Sequence, residues 1–396
     1  MSAARTTLIF ASLGHALFHI IVALFITLVL VLEPLWERPY DELIGLWTAG
    51  ALALGLGAPI AGWLGDRFGE IGVMLAFFAG IGAAAIGCGL AEGPGGLAIW
   101  LTVMGLFGAI YHPVGTAWVV KNVARRGRSI AIVGISGSVG AAVASTVAGG
   151  LADLAGWRVA FIVPGVLALV AGAGLALCWT LGLVADRKGD AAPEPEPARL
   201  DVRRAFAVLV VTMSLTSLAY HAFSTMLPKW VERELWHGAE AGLTAVGAVV
   251  TLVYLLGATA QFVGGHYADR GLAKPIYAAS FALKLAALLA ASMATGWPIL
   301  IAAIVVVFVF DIAAPVENVL IARYTSSRRR GLAYGLRHGI AIVVAPLGVQ
   351  LVALLFDPAT GFSGLLQLLA ALVAVMLLAA LLLPGERRAG AASAAA

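Results

Sequence analysis

Twelve apolar runs follow one another along this chain, and nearly all of its charged residues fall between them. A continuous apolar run of about 20 residues spans the hydrocarbon core of a bilayer as one α-helix. Only helices and closed barrels satisfy every backbone N–H and C=O without water, and runs this long and unalternating read as helices. They lie near 7–32, 43–65, 71–91, 97–120, 129–151, 159–184, 204–228, 243–267, 274–294, 297–321, 332–356 and 362–384. The expected fold class is therefore an all-α membrane protein of twelve transmembrane helices. Only 12% of the residues are charged, about half of what a water-soluble surface needs, which excludes a sizeable soluble domain. The net charge of +4 resides in loops rather than in a basic patch, so no nucleic-acid partner is expected.

Arg5 before an apolar stretch superficially resembles a signal peptide, but the stretch is too long for one and no small-residue cleavage site follows. It reads as the first span. Cys88 and Cys178 lie inside apolar runs, which speaks against a disulfide framework. Lysine and arginine set the orientation. Nineteen fall in one alternating set of segments, whereas the other set holds four: Arg38, Arg158, Lys229 and Arg233. By the positive-inside rule both termini are expected in the cytoplasm. The Pro-rich, charged stretch 185–203 reads as a solvated linker. It divides the chain into an N-terminal six-helix half, 1–184, and a C-terminal six-helix half, 204–386, with 387–396 as a disordered tail.

The halves repeat at an offset of about 202 residues, as a short series of ordered matches makes plain. Gly62-Trp-Leu-Gly-Asp66-Arg67 answers Gly265-His-Tyr-Ala-Asp269-Arg270. Ser12-Leu13 and His19 answer Ser214-Leu215 and His221. Pro113-Val114 answers Pro315-Val316, and Arg125-Arg126-Gly127-Arg128 answers Arg328-Arg329-Arg330-Gly331. Two parallel six-helix repeats put a binding site between them near the bilayer midplane.

These residues resemble the major facilitator superfamily. The segment Gly62-x-Leu64-x-Asp66-Arg67-x-Gly69 is similar to that family's signature between spans two and three, and Gly156-Trp157-Arg158 with Phe161, Pro164 and Gly165 resembles its usual start of span six. The second copy of the signature, Asp269-Arg270-Gly271-Leu272, lacks the regular final glycine, and Glu70 stands where basic residues usually follow the first. Within the superfamily, Gly14-His15-x-x-x-His19 and Tyr111-His112-Pro113 resemble the fosmidomycin-resistance-like group of drug exporters. The family's antiporter motif in span five is only half present: Gly134, Gly137, Gly140, Gly149 and Gly150 keep its small residues, but its proline is missing. The resemblance implies that Asp66 and Arg67, with Asp269 and Arg270, form a cytoplasmic gate. In it the aspartates cap span eleven and span five respectively.

Ionisable groups inside spans are costly in hydrocarbon and normally face a cavity or a partner. His15 and His19 stand i,i+4 on one helix face, where an imidazole pair either exchanges protons and binds a polar solute or is satisfied by backbone carbonyls. The spacing also permits a metal, but with no carboxylate or thiolate nearby no metal site is expected. The resemblance makes spans one and seven cavity-lining, which adds Tyr220 and His221. Pro113 kinks span four and opens room for Tyr111 and His112. In span ten Asp311, Pro315 and Asn318 share one face, with Glu317 about 120° away. Asp311 or Glu317 either carries a coupling proton or forms a fixed ion pair with Arg337 of span eleven. Arg337, beside His338, either snorkels or holds an anionic substrate. Lys284 sits mid-span in helix nine with no evident role.

The leading expectation is a secondary transporter that exports a small polar or amphiphilic compound by proton-coupled alternating access, acting as a monomer without cofactor. Proton-coupled uptake of a small organic anion is the alternative. An intramembrane metal-dependent enzyme or a non-transporting receptor are the readings from other classes. High alanine, glycine and arginine usage points to a bacterial inner membrane.

Overall fold

The computed structural model describes residues 3–122, 126–184, 202–236, 242–324 and 343–383. Eleven helices among them are long and apolar enough to cross a membrane. They are α1 (Ala3–Trp36), α2 (Tyr40–Phe68), α3 (Glu70–Leu90), α4 (Pro94–Val119), α5 (Ile132–Ala155), α6 (Trp157–Thr180), α7 (Arg204–Trp236), α8 (Leu243–Tyr267), α9 (Arg270–Met293), α10 (Pro298–Ile321) and α12 (Ser363–Leu381). A shorter apolar helix, α11 (Val343–Leu355), occupies the later part of predicted span eleven. The earlier part of that span, the linker residues 185–201 and the tail 387–396 lie outside the described residues, as do Arg337 and His338.

Two helices are interrupted where the sequence removes or weakens the α-ladder. Pro113 has no N–H to return to the preceding turn, and α4 widens into a π-helical turn over Tyr111–Gly115. Such turns frequently mark functional positions. After α8 a second π-helical turn, Ala268–Leu272, contains Gly271 at φ 80°. Its counterpart Gly69, between α2 and α3, stands at φ 91°. Both are left-handed values that a side chain would resist. The second signature copy therefore does own a turn glycine; it sits one place earlier, relative to its aspartate, than the regular pattern has it.

In hydrocarbon there is no hydrophobic drive between helices, so close packing and interhelical hydrogen bonds must hold the bundle. The seam between the first six and last six helices runs along α5 and α8, with α1 against α7 beside it. Glycines bring the two backbones together: a Cβ on Gly149 would lie 2.1 Å from the Leu243 carbonyl oxygen, and one on Gly247 2.2 Å from that of Ser145.

The hydrogen bonds across this seam gather towards one face, the one that carries the α1–α2, α5–α6, α7–α8 and α11–α12 connections. We call it the distal face, opposite the end where α1 starts. Gly242 at the N-cap of α8 has no side chain to offer. Asp153 of α5 takes over, accepting from the Leu243 N–H at 3.1 Å and the Thr244 N–H at 2.7 Å. Thr146 and Thr251 pair through their hydroxyls at 2.7 Å, and Thr251 also donates to the Ala142 carbonyl at 2.7 Å. Lys229 of α7 pairs with Glu33 of α1 at 2.6 Å, and Gln350 of α11 donates to Thr48 of α2. These contacts tie the two six-helix sets together at the distal face.

Candidate functional site

Two polar clusters lie inside the bundle, one in each six-helix set. In the first, α1 presents His15 and His19 one turn apart, and the π-helical turn of α4 brings His112 and Tyr111 beside them. The His15 Nδ1 lies 2.7 Å from the Val133 carbonyl oxygen of α5. A carbonyl can only accept, so this nitrogen carries the hydrogen. In the neutral ring Nε2 then holds a lone pair, and it accepts from the His19 Nε2 at 3.2 Å. One imidazole is anchored by a backbone carbonyl, and the other bonds to the first.

Tyr111 braces this group. Its ring stacks on His15 with centroids 4.7 Å apart, and its hydroxyl donates to the Ala11 carbonyl at 2.6 Å. Tyr111 is buried, whereas His15, His19 and His112 are half-buried. Phe18 meets both His19 and His112 edge-on, at 4.9 and 5.0 Å. Gly137 of α5 makes the room: a Cβ there would lie 2.4 Å from the His15 ring. His221 of α7 lies within electrostatic reach of His19, and Gly348 of α11 packs against its Cβ.

The second cluster centres on Lys284 of α9, which is completely buried. Its ammonium makes no hydrogen bond among the described residues. It sits 4.0 Å from the centroid of Phe310 and 5.1 Å from that of Phe281. Asp311 and Glu317 of α10 are both within its electrostatic reach. Asp311 accepts a hydrogen bond from Gln261. Glu317, buried, accepts one at 3.0 Å from Tyr277, which is also 2.9 Å from the Thr212 hydroxyl. Tyr220 meets Phe310 edge-on at 5.8 Å, while Asn318 is exposed. The cation beside the span-ten carboxylates is thus Lys284; Arg337, the partner in the ion-pair alternative, lies outside the described residues. Tyr277, Ser280, Phe281 and Lys284 are all buried on one stripe at i, i+3, i+4 and i+7. That spacing is the sequence signal for the missed cluster.

At the end opposite the distal face, Asp66 is exposed and pairs with Lys121 at 3.5 Å. Lys121 also pairs with the buried Glu70, and this hydrogen bond raises the pKa of Lys121. Arg67 lies over Trp63 and Phe68, 5.5 and 5.6 Å from their centroids. Arg270 is exposed; the side chain of Asp269 and the start of span eleven lie outside the described residues.

The model of the Major Facilitator Superfamily matches residues 8–243 and 236–396, together essentially the whole chain. The chain belongs to the Major Facilitator Superfamily. A superfamily relative, the uncharacterized MFS-type transporter Rv1250 of Mycobacterium tuberculosis (strain ATCC 25618 / H37Rv), is 32% identical over 137 residues, 33% of this chain. The match spans only about a quarter (24%) of that relative's length. Among solved structures the fold is similar to a bacterial homolog of the human lysosomal transporter Spinster in two inward-facing crystal structures. The unoccupied form gives a TM-score of 0.73 over 96% of this chain and 95% of that one. The occupied form gives 0.75 over 96% and 94%. Both are 15% identical to this chain, a likeness of fold alone.

Proposed function

We propose that this chain is a secondary active transporter of the bacterial inner membrane, with both termini cytoplasmic. It exports a small polar or amphiphilic compound in exchange for protons. The observation that carries the coupling is the trio of buried Lys284 and Glu317 with half-buried Asp311. With all three ionised its net charge is −1, and one bound proton makes it neutral. An isolated charge is costly in hydrocarbon, so proton binding and release at this trio changes how readily it tolerates a dry, closed surrounding. That is the property an alternating-access cycle needs.

The solute is assigned to the space between the two clusters, faced by His15, His19, His112, Tyr220, His221 and Asn318. Tyr111, its hydroxyl taken by Ala11, positions the histidines. Asp66, Arg67, Asp269 and Arg270 are assigned to the cytoplasmic gate, a role that rests on the signature residues and the family.

Inverted vesicles with an acid lumen test the reading. Fosmidomycin heads the panel of solutes, because the histidine motifs of spans one and four resemble that exporter group. Export in exchange for protons predicts that a solute accumulates in the lumen and dissipates its acidity, and that Asp311→Asn abolishes both. Accumulation in right-side-out vesicles driven by an acid exterior would instead establish uptake.

A further inference from the structure

One ring nitrogen from each of His15, His19 and His112 lies within 4.8 Å of the other two. We propose that these three imidazoles bind a divalent transition-metal ion of borderline softness, of which Zn2+, Co2+ and Ni2+ are examples. The site goes beyond the transport reading, and its occupancy does not depend on transport direction.

Two imidazole nitrogens about 2.0–2.1 Å from a tetrahedral ion stand about 3.3 Å apart. The Nε2 atoms of His15 and His19 are 3.2 Å apart, so one edge of the coordination shell is already assembled. The bond from His15 Nδ1–H to the Val133 carbonyl is the kind of outer contact that orients a metal-ligating histidine. It fixes the tautomer that turns the Nε2 lone pair towards the other rings. An ion placed between them takes the lone pair of each Nε2, the His19 hydrogen moving from Nε2 to Nδ1 so that both rings ligate as neutral imidazoles.

The third ligand comes from another helix. His112 stands in the π-helical turn of α4, its ring centroid 5.2 Å from that of His15 and 5.7 Å from that of His19. The three ring nitrogens already lie within 4.8 Å of one another, so a closer approach of the His112 ring completes the set. Tyr111 and Phe18 back the rings, and Gly137 leaves the pocket in which His15 sits. Such bracing fixes the rings' orientation beforehand.

The donor set selects the ion. Imidazole suits zinc, nickel, copper and iron, whereas magnesium and calcium require oxygen ligands. Three protein ligands leave a fourth position open. All three histidines are half-buried rather than sealed, so an oxygen or nitrogen donor of a solute can complete the shell.

The test uses the full-length chain, with any affinity tag removed, in detergent after treatment with a chelator. Titration with Co2+ should give one equivalent of tight binding. The visible bands should be those of a low-coordinate imidazole complex, and one equivalent of Zn2+ should bleach them. Loss of an outer contact alone weakens metal sites ten- to a hundredfold, so His15→Ala and His112→Ala should each weaken Co2+ binding by about a hundredfold or more. His19→Gln keeps a donor for His15 but is a poor ligand, and should retain the parent's thermal unfolding while losing the bands. X-ray absorption on the zinc-loaded parent should show imidazole scattering. No stoichiometric binding, an oxygen-only shell, or unchanged binding by folded His19→Gln overturns the site. A failure here leaves solute transport standing, and a chain that binds Co2+ yet moves no solute fails the transport reading alone.

Discussion

Lys284 is costly to bury, because its ammonium is fully enclosed and has no hydrogen-bond partner among the described residues. Two kinds of contact offset that cost: the faces of Phe310 and Phe281, and the field of Asp311 and Glu317. A desolvated cation over a ring gains about 2 kcal/mol, well short of the several kcal/mol that burial of an ion costs. The carboxylates must supply the rest. Removing the cation alone leaves two like charges in a dry place, whereas removing one charge of each sign restores the balance. Lys284→Met should therefore lower the unfolding midpoint in detergent. Adding Glu317→Gln should recover part of the loss, with a coupling energy of about 1–3 kcal/mol in a double-mutant cycle. Strictly additive effects would show that the three groups are not linked. Tyr111 offers a smaller, separable test. Tyr111→Phe keeps the stacking on His15 and loses only the bond to Ala11, costing about 1 kcal/mol. Tyr111→Ala removes a buried ring and should cost about 3–5 kcal/mol.

At the scale of helices, the distal seam depends on one helix completing another. Asp153 gives α8 the N-terminal acceptor that Gly242 lacks, and its charge faces the positive end of the helix dipole. Asp153→Ala should weaken the closed seam by about 1 kcal/mol. Spin labels placed on the distal ends of α5 and α8 should then report a larger share of long distances. An unchanged distance distribution would show that the contact is incidental. This contact also marks where a sequence stops being readable. The helices themselves were legible, because an apolar run in hydrocarbon has no other way to satisfy its backbone. Eleven expected spans appear as membrane-length helices, and α11 covers part of the twelfth. The pair His15 and His19 was legible for the same reason: one helix turn fixes the relation. Asp153 falls between the apolar runs of spans five and six, where sequence gives it no role, since its role lies in the N–H groups of a helix 90 residues away. His112 could not be counted with the pair for the same cause, and Lys284 looked partnerless because Asp311 and Glu317 approach it from α10. What sequence withheld was which helix stands beside which.

For the molecule as a whole, contacts that tie the distal face together serve transport only if they can part, and those between α5 and α8 are of a kind that parts cheaply. One threonine pair, a surface cap and glycine-to-backbone approaches hold α5 to α8, while the ion pair of the seam, Lys229 with Glu33, joins α7 to α1 beside them. A covalent bridge in their place should hold that face permanently closed. Thr146 and Thr251 are suited to it, their hydroxyls being 2.7 Å apart, so the double variant Thr146→Cys/Thr251→Cys should form a disulfide on mild oxidation. Cys88 and Cys178, the native cysteines, are first replaced by alanine. Under alternating access the oxidised chain should still bind solute from the opposite side but transport none, and reduction should restore flux. Gly149→Leu is the converse. A side chain where even a Cβ would reach 2.1 Å from the Leu243 carbonyl oxygen forces the helices apart, and flux should be lost without recovery by reductant. The two variants would then be alike in flux and opposite in the exposure of a cysteine placed on the distal lining of α7. Undiminished flux through the oxidised bridge would mean that this seam never opens, and the solute's path would have to lie elsewhere in the bundle.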